Sequence, residues 1–278
     1  MKLRIVQCLL ALIFLITVAG IIFMVWEDRK MDLFLEEQKN QLDAIMQNAV
    51  VDEDANGPSE EAMQIEQEQI EPPVILPQYQ SLYEMNSDII GWLTIPETVI
   101  DYPVMQTPED EQFYLYLDFN KEENKNGCLI MDTDSTVGIG KADNEYQNGE
   151  RPSTNLIIHG HTMKSGEMFG GLRKYQDPEY GKSHSRIVFS SLYEEREYEL
   201  IAAFYSQVYY NTDQVFKYYH FFEAATQEEF DYWYENIKEL SIYDTGVAAE
   251  FGDEFLTLNC CAYHVENGRF VVVAKRVR

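Results

Sequence analysis

The strongest constraint on this chain is a run without charged side chains near its N-terminus, from Ile5 to Trp26. Because a helix rises about 1.5 Å per residue, this run would span about 33 Å, enough for a hydrocarbon core of about 30 Å. A secretory signal has a shorter apolar region that ends at a small-residue site, whereas this run continues past Gly20. The run therefore predicts an uncleaved membrane anchor.

The basic residues beside the run bear on its orientation in the membrane. Lys2 and Arg4 precede it and favour a cytoplasmic N-terminus. Two basic residues shortly after the run weigh the other way, but most of the chain lies C-terminal to it. We expect a single-pass protein of the cell membrane. Its residues 1–4 would be cytoplasmic, residues 5–26 would be the transmembrane anchor, and the rest of the chain would be extracellular.

The charge of the chain excludes two classes of partner. It carries 48 acidic and 21 basic residues, a formal net charge of -27, and has no Lys or Arg between Lys39 and Lys121. Phosphate binding needs clustered basic side chains, so nucleic acid is excluded as a partner. Attachment to anionic lipid through a basic face is excluded for the same reason. Residues 27–75 are interpreted as a membrane-proximal helix followed by an acidic, solvated linker.

Residues 76–278 have the composition of a folded domain. Eight short segments rich in Val, Ile, Tyr, Phe and Thr are broken by Gly, Asn and Asp, which predicts strands. These segments are IIGWLTI, VIDYPVMQ, GCLIMDT, TNLIIHGHT, SRIVFSSL, YELIAAFYSQVYY, EFLTLNCCAY and GRFVVVAKRV. Pro103, in the second segment, fits a sheet edge or bulge better than a sheet centre. Since strands and helices do not alternate regularly, a parallel sheet is not expected.

Two segments predict helices. Tyr79, Leu82 and Tyr83 have helical spacing before the first strand. Thr226 and Glu229 form a capping-box pattern, and apolar residues follow it at helical spacing up to Leu240. The domain is therefore predicted to be mainly β and mostly antiparallel, with a few helices.

Three spots contain residues able to do chemistry. IIHGHTM carries His159 and His161, TLNCCAYH carries Cys260, Cys261 and His264, and GRF carries Arg269. A thiolate is a nucleophile, a His moves protons near neutral pH, and an Arg stabilises a developing oxyanion. From the residues alone, three other interpretations stay open. The Cys and His residues could be structural, they could bind zinc as five nitrogen and sulfur ligands, or Cys260 and Cys261 could form a strained vicinal disulfide.

Four segments resemble the sortase family. TLNCC, followed eight residues after its last Cys by Arg269, is similar to the signature TLxTC…R. NLIIHGHTMKSGEMFGGLRKY resembles the His motif of the class B type. DIIGWLTIPETVIDYPVMQ and FYLYLDFNKEENKNGCLIMD resemble the N-terminal strands of that class. The likeness covers roughly residues 80–278. One departure from the pattern is Cys260, which stands where the family usually has Thr.

The resemblance implies a fold, an activity and a set of roles. The fold would be a closed barrel of about eight strands, mixed or antiparallel, with an N-terminal helical extension and one helix between late strands. The activity would be that of a cysteine transpeptidase on the outer face of a Gram-positive membrane. Cys261 would be the nucleophile, His161 the general acid and base, and Arg269 the group that stabilises the oxyanion or holds substrate. No cofactor and no metal are implied.

The partners implied by the resemblance are secreted proteins that end in a sorting motif. The acceptor would be an amine of a cell-wall precursor or of a pilin Lys. A hydrolytic cysteine peptidase of the same fold is an alternative function. A non-catalytic protein that binds metal or has a structural role at the cell surface is another.

Overall fold

A computed structural model describes residues 73–142, 146 and 150–278. Among these residues no helix has the length and apolar character needed to cross a bilayer. The predicted anchor at residues 5–26 and nearly all of the predicted linker lie outside them. The described elements are helices α1 (Pro77–Met85), α2 (Pro178–Ser183) and α3 (Gln227–Leu240), and strands β1 (Ile89–Thr94), β2 (Asp101–Met105), β3 (Leu129–Met131), β4 (Asn155–Gly160), β5 (Arg186–Ser191), β6 (Glu195–Gln207), β7 (Phe255–Cys261) and β8 (Gly268–Arg276).

The eight strands form a closed barrel in the order β1-β2-β3-β4-β7-β8-β6-β5. Each strand falls within one of the eight segments predicted from the sequence or extends it by a few residues, so the prediction of an eight-stranded, mainly β barrel is confirmed. Two pairs, β2–β3 and β4–β7, are parallel, and the others are antiparallel. Parallel partners need a long crossover, which β5, β6 and α3 supply between β4 and β7. The absence of regular alternation in the sequence concealed these two pairings.

The helix α3 covers one outer face of the barrel. Phe230, Trp233 and Ile237 pack in one buried cluster with side chains of β6, β7 and β8, and the Trp233 ring stacks on Phe221 with centroids 4.2 Å apart. The strands beneath are thus buried on both faces. This explains why β7 is a nearly continuous buried run up to Cys260 and not an alternating one.

The start of α3 follows its predicted cap with one difference. The Thr226 hydroxyl accepts a hydrogen bond from the backbone N–H of Glu229 at 3.3 Å. The Glu229 carboxylate does not return to Thr226. It accepts instead from the backbone N–H of Ala225 at 2.8 Å. The reciprocal bond of a capping box is therefore shifted by one residue.

Pro103 occupies a position where β2 is bordered on one side only. It pairs with Trp92 of β1, while the pairing of β2 with β3 begins at Val104. Because Pro has no N–H to donate, it is tolerated where a neighbouring strand is missing. The expectation of a local edge position is confirmed.

Candidate active site

The strand register brings the three predicted catalytic residues to one end of the barrel. Cys261, the last residue of β7, lies directly opposite Arg269 on the antiparallel β8. On the other side of β7, Gly160 of the parallel β4 lies opposite Cys260. His161 follows β4 immediately, so it emerges beside the end of β7. Residues directly opposite in an antiparallel pair project from the same face, and Cys261 and Arg269 therefore share a face.

The two adjacent thiols are separated by strand alternation. Cys260 is only 2% exposed and belongs to the core, whereas Cys261 is partly exposed. Both are free thiols. Burial raises the pKa of the Cys260 thiol to about 11, which leaves a thiolate fraction of about one in 10⁴ at pH 7. Because the thiolate is the nucleophile, Cys261 is the better placed of the two sulfur atoms.

The backbone of Cys261 is tied to the segment that carries His161. The hydroxyl of Thr162, the residue after His161, donates a hydrogen bond to the Cys261 carbonyl at 2.6 Å. This bond continues the β4–β7 pairing beyond the end of β4. It fixes the segment after β4 against the end of β7, so the imidazole and the thiol are held on neighbouring pieces of backbone.

The His161 imidazole is oriented from the opposite side by the segment before β3. Its Nε2 lies 2.7 Å from the carbonyl oxygen of Leu115. A carbonyl only accepts, so Nε2 carries a proton and donates it. The Tyr116 ring lies against the imidazole, with centroids 5.6 Å apart and an angle of 30° between the planes. Within the described residues Nδ1 has no hydrogen-bond partner, so it is the nitrogen available for proton transfer.

Gly160 allows the chain to fold back after the strand. The backbone N–H of Phe169 donates to the His161 carbonyl at 2.9 Å. A Cβ on Gly160 would lie 2.5 Å from the Phe169 ring, closer than real Cβ contacts. The residue between the two histidines must therefore be Gly for the Phe169 ring to pack there, which explains the HGH pattern.

Arg269 keeps most of its hydrogen-bonding capacity free. Its Nη1 donates to the carbonyls of Asn267 at 3.4 Å and Gly268 at 3.1 Å. No carboxylate among the described residues forms an ion pair with it. Five N–H groups in a planar fork are present, so the guanidinium can still donate to an oxygen placed next to Cys261. The buried Tyr218 also lies in its field: burial raises the pKa of that phenol, and the positive charge of Arg269 opposes the rise.

The five-ligand zinc set considered from the sequence is not assembled. Cys260 is buried in the core, and the His264 ring packs edge-on against Tyr205 at 4.8 Å. The His159 imidazole is hydrogen-bonded to two other side chains. Its Nδ1 lies 3.1 Å from Asn259 Oδ1 and its Nε2 lies 3.1 Å from Asp132 Oδ2.

The sequence did not indicate several of these contacts. The Leu115 carbonyl that orients His161 is a backbone atom, and no residue type marks a backbone acceptor. Thr162 and Tyr116 lie within the segments that carry the resemblance, yet only the folded chain shows their contacts. Their positions next to the HGH pattern and in the FYLYLDF segment were the only available signal.

Comparison with known proteins places this site in context. A family model described as a sortase domain matches residues 93–277. Sortase B of Listeria monocytogenes is 32% identical over 200 residues, covering 71% of this chain and 73% of its own length. Sortase B of Bacillus anthracis in complex with AAEK1 is similar in structure, with a TM-score of 0.61 and 30% identity over 75% of this chain and 88% of that one. A Staphylococcus aureus sortase B–substrate complex, at 22% identity, shares the fold with a TM-score of 0.68 and coverage of 91% and 98%.

Proposed function

Since this chain belongs to the sortase family, as a cysteine transpeptidase of the class B type, we propose that it cleaves a C-terminal sorting motif of secreted proteins and transfers the acyl group to an amine. The acceptor would be an amine of a cell-wall precursor or of a pilin Lys. The observation that carries the proposal is the register of β4, β7 and β8, which gathers His161, Cys261 and Arg269 at one end of the barrel.

In the first half of the reaction, the Cys261 thiolate attacks a backbone carbonyl within the sorting motif. A C–S bond forms, and the carbonyl oxygen becomes an oxyanion. Arg269 donates to this oxyanion with the N–H groups that the protein leaves free, and its charge persists at any physiological pH. The C–N bond then breaks, and the leaving amine takes a proton from His161. The products are a thioester on Cys261 and the released C-terminal peptide.

In the second half, the acceptor amine attacks the thioester. His161 removes a proton from the amine, an amide bond forms, and the C–S bond breaks to restore the thiolate. Both proton transfers take place at Nδ1, because Nε2 donates to the Leu115 carbonyl. That bond also fixes the direction in which Nδ1 points. His161 is neutral between the two halves, after its Nδ1 proton has gone to the leaving amine, and becomes an imidazolium again when it takes the proton of the acceptor amine. It keeps the bond to Leu115 in both states, because Nε2 carries a proton in each.

The N-terminal part of the chain supports a location at the outer face of the membrane. The uncharged run of residues 5–26 would hold the chain in the bilayer with its N-terminus in the cytoplasm. The acidic stretch up to residue 75 would extend the domain away from an anionic surface. A protein held there meets secreted proteins as they emerge and meets cell-wall precursors at the same surface.

The test uses the purified full-length protein in detergent micelles. It is incubated with a panel of peptides that carry candidate sorting motifs, with and without an added amine. Mass spectrometry should show an acyl adduct on Cys261 and, when amine is present, a product joined to that amine. His161→Ala should lower the rate by about 10² to 10⁴, the usual contribution of general acid–base catalysis.

Three results would contradict this proposal. Hydrolysis with no amine-linked product at any amine concentration would identify a cysteine peptidase of the same fold. Full activity in a Cys261→Ala protein, or an adduct on Cys260, would remove the assigned nucleophile. A matched His184→Ala variant is the control for His161. His184 directly follows α2, and its imidazole is hydrogen-bonded to Ser183 and Tyr180 and not to a residue of the candidate active site.

A further inference from the structure

A second group of polar side chains lies beside the candidate active site and is not used by the proposed reaction. Asp132 directly follows β3, His159 lies on β4, and Glu111 lies in the segment between β2 and β3. One ligand atom from each of the three lies within 4.8 Å of those from the other two. The closest pair is His159 Nε2 and Asp132 Oδ2, at 3.1 Å. Two carboxylates and an imidazole thus converge on one point.

A fourth side chain lies against the other nitrogen of the imidazole. Asn259 of β7 is 2% exposed, and its Oδ1 lies 3.1 Å from His159 Nδ1. In the tautomer whose Nδ1–H donates to this oxygen, the Nε2 lone pair points at the Asp132 carboxylate. A cation bound between Nε2 and the carboxylate would then have a ligand on each side. The buried Asn259 amide also has an Nδ2 without a partner among the described residues, so its orientation is held by His159 alone.

We propose that Asp132, His159 and Glu111 bind one divalent metal ion of the zinc type. An imidazole with carboxylates is a ligand set that suits zinc, whereas calcium prefers oxygen ligands alone. Two ligands at about 2.0–2.1 Å from a tetrahedral ion lie about 3.3–3.4 Å apart, close to the observed 3.1 Å. The Glu111 side chain is exposed and can rotate to complete the set. A fourth position would stay open to water.

The proposed metal site has the outer contacts that such sites use. A metal-bound His commonly donates its other ring N–H to a carbonyl-type oxygen, which fixes the tautomer, and Asn259 does this for His159. Asp132 is held as well, since its Oδ1 accepts from the Asp134 backbone N–H at 2.9 Å. Asn259 and Cys261 project from the same face of β7, one alternation apart. The metal would therefore lie on the same side of β7 as the nucleophile but would not depend on it.

The experiment measures zinc binding by the full-length protein in detergent, with Cys261→Ala as the background. This background is needed because a catalytic thiol would itself bind zinc. Calorimetric titration with Zn²⁺ should show one site per chain, and parallel titrations with Ca²⁺ and Mg²⁺ should show affinities at least 100-fold weaker. Co²⁺ in place of zinc should give the visible absorption bands of a tetrahedral ion.

Variants then locate the site. His159→Gln and Glu111→Gln should each weaken zinc binding by about 100-fold, and Asn259→Ala by about 10- to 100-fold, as for outer contacts of metal ligands. The exposed Glu111 can be changed without disturbing the core, so its variant remains informative if a buried variant fails to fold. His184→Gln is the matched control and should leave binding unchanged.

Three results would overturn the metal site. The first is no saturable zinc binding in the Cys261→Ala protein, which would mean that the cation between His159 and Asp132 is a proton. The second is zinc binding that His159→Gln and Glu111→Gln leave intact. The third is calcium binding as tightly as zinc. Because the assay contains no substrate and no catalytic thiol, its failure would leave the proposed transpeptidation untouched.

Discussion

The two ends of strand β8 carry an arginine each, and the two arginines are treated differently by the fold. Arg269 lies at the start of β8, opposite Cys261, and its hydrogen bonds to the described residues go to backbone carbonyls only. Arg276 lies at the end of β8, about 24 Å away along the strand. Its guanidinium is 2.7 Å from Glu254, 2.8 Å from Glu194 and 3.0 Å from the Tyr146 hydroxyl.

The end of the barrel around Arg276 is a network of paired charges. Arg196, which has no exposed surface, donates through Nε to Glu194 at 3.0 Å and through Nη2 to the Val137 carbonyl at 2.7 Å. Glu194 thus lies between two guanidinium groups. Buried charges are tolerated only when they are paired in this way, so loss of one partner at this end should destabilise the fold.

The difference shows which end of β8 has hydrogen-bond donors free for a substrate. At the Arg276 end, the N–H groups of the guanidinium donate to carboxylates of the protein. At the Arg269 end, a cation sits next to a partly exposed thiol, with donors left for an incoming group. The partners of each arginine therefore distinguish a side chain that contributes to stability from one that contributes to chemistry. Substitution of Arg276 should change the unfolding free energy, and substitution of Arg269 should change the reaction rate.

The largest expected effect separates the two adjacent thiols at the reactive end. Cys261→Ala should lower transpeptidation at least about 10⁴-fold, because the thioester cannot form. Cys260→Ala removes a buried sulfur and should cost about 1–2 kcal/mol of unfolding free energy, with the rate of the folded protein within a few-fold of the original. Peptide transfer followed by mass spectrometry and urea unfolding measure the two quantities. Equal losses of rate in both variants would contradict the assignment.

The next effect compares the two arginines directly. Arg269→Ala should lower kcat/KM by about 10² to 10³, the usual cost of one oxyanion donor, with little change in Tm. Arg269→Lys should recover only part of the rate, since Lys keeps the charge but not the planar fork. Arg276→Ala is the matched control and should leave kcat/KM of the folded protein unchanged. The comparison fails if the Arg276 variant loses as much rate as the Arg269 variant.

The sequence predicts the barrel strands well because each strand is marked by the residue types of its own short segment. All eight segments that form strands were visible as Val-, Ile- and Phe-rich runs between turn residues. Strand pairing was not visible, because the parallel contact between β4 and β7 joins segments with β5, β6 and α3 between them. The site residues could be named from resemblance to a family. Only the register showed that Arg269 faces Cys261 directly.

The sequence does not show which groups the site residues contact. Nothing in the residue string shows that the Leu115 carbonyl orients His161, since every residue has a carbonyl. Nothing shows that Asp132 and Asn259 share His159, because the three come from separate strands or loops. The same holds for Arg269 and Arg276, which are the same residue type on one strand. Their roles differ because Glu194 and Glu254 pair with Arg276, whereas no carboxylate among the described residues pairs with Arg269.

The stability of the Arg276 end gives a third prediction. Arg276→Ala leaves Glu254 without its ion-pair partner and Glu194 with Arg196 alone, and should lower the unfolding free energy by about 3 kcal/mol. Arg186→Ala is the matched control, because Arg186 also pairs with a glutamate, Glu197, at 2.8 Å, but its side chain is 54% exposed. An exposed pair contributes less than about 1 kcal/mol. Urea unfolding of the full-length variants measures both free energies. Equal losses of unfolding free energy in the two variants would contradict this prediction.

The smallest expected effect is on how the unfolding free energy changes as pH falls. Burial tends to raise the pKa of Glu194, but the Ala142 N–H, Arg196 and Arg276 together hold it below its ordinary value of 4.5. A carboxylate whose folded pKa is depressed stabilises the protein above its unfolded pKa, and that contribution is lost as pH falls through the folded pKa. Glu194→Gln removes the titrating group, so its unfolding free energy should fall less steeply between pH 5 and pH 3 than that of the original protein. Glu228→Gln, at an exposed position in the first turn of α3, should retain the original slope. If Glu194→Gln also kept the original slope, the network at the Arg276 end would not be what acid disrupts.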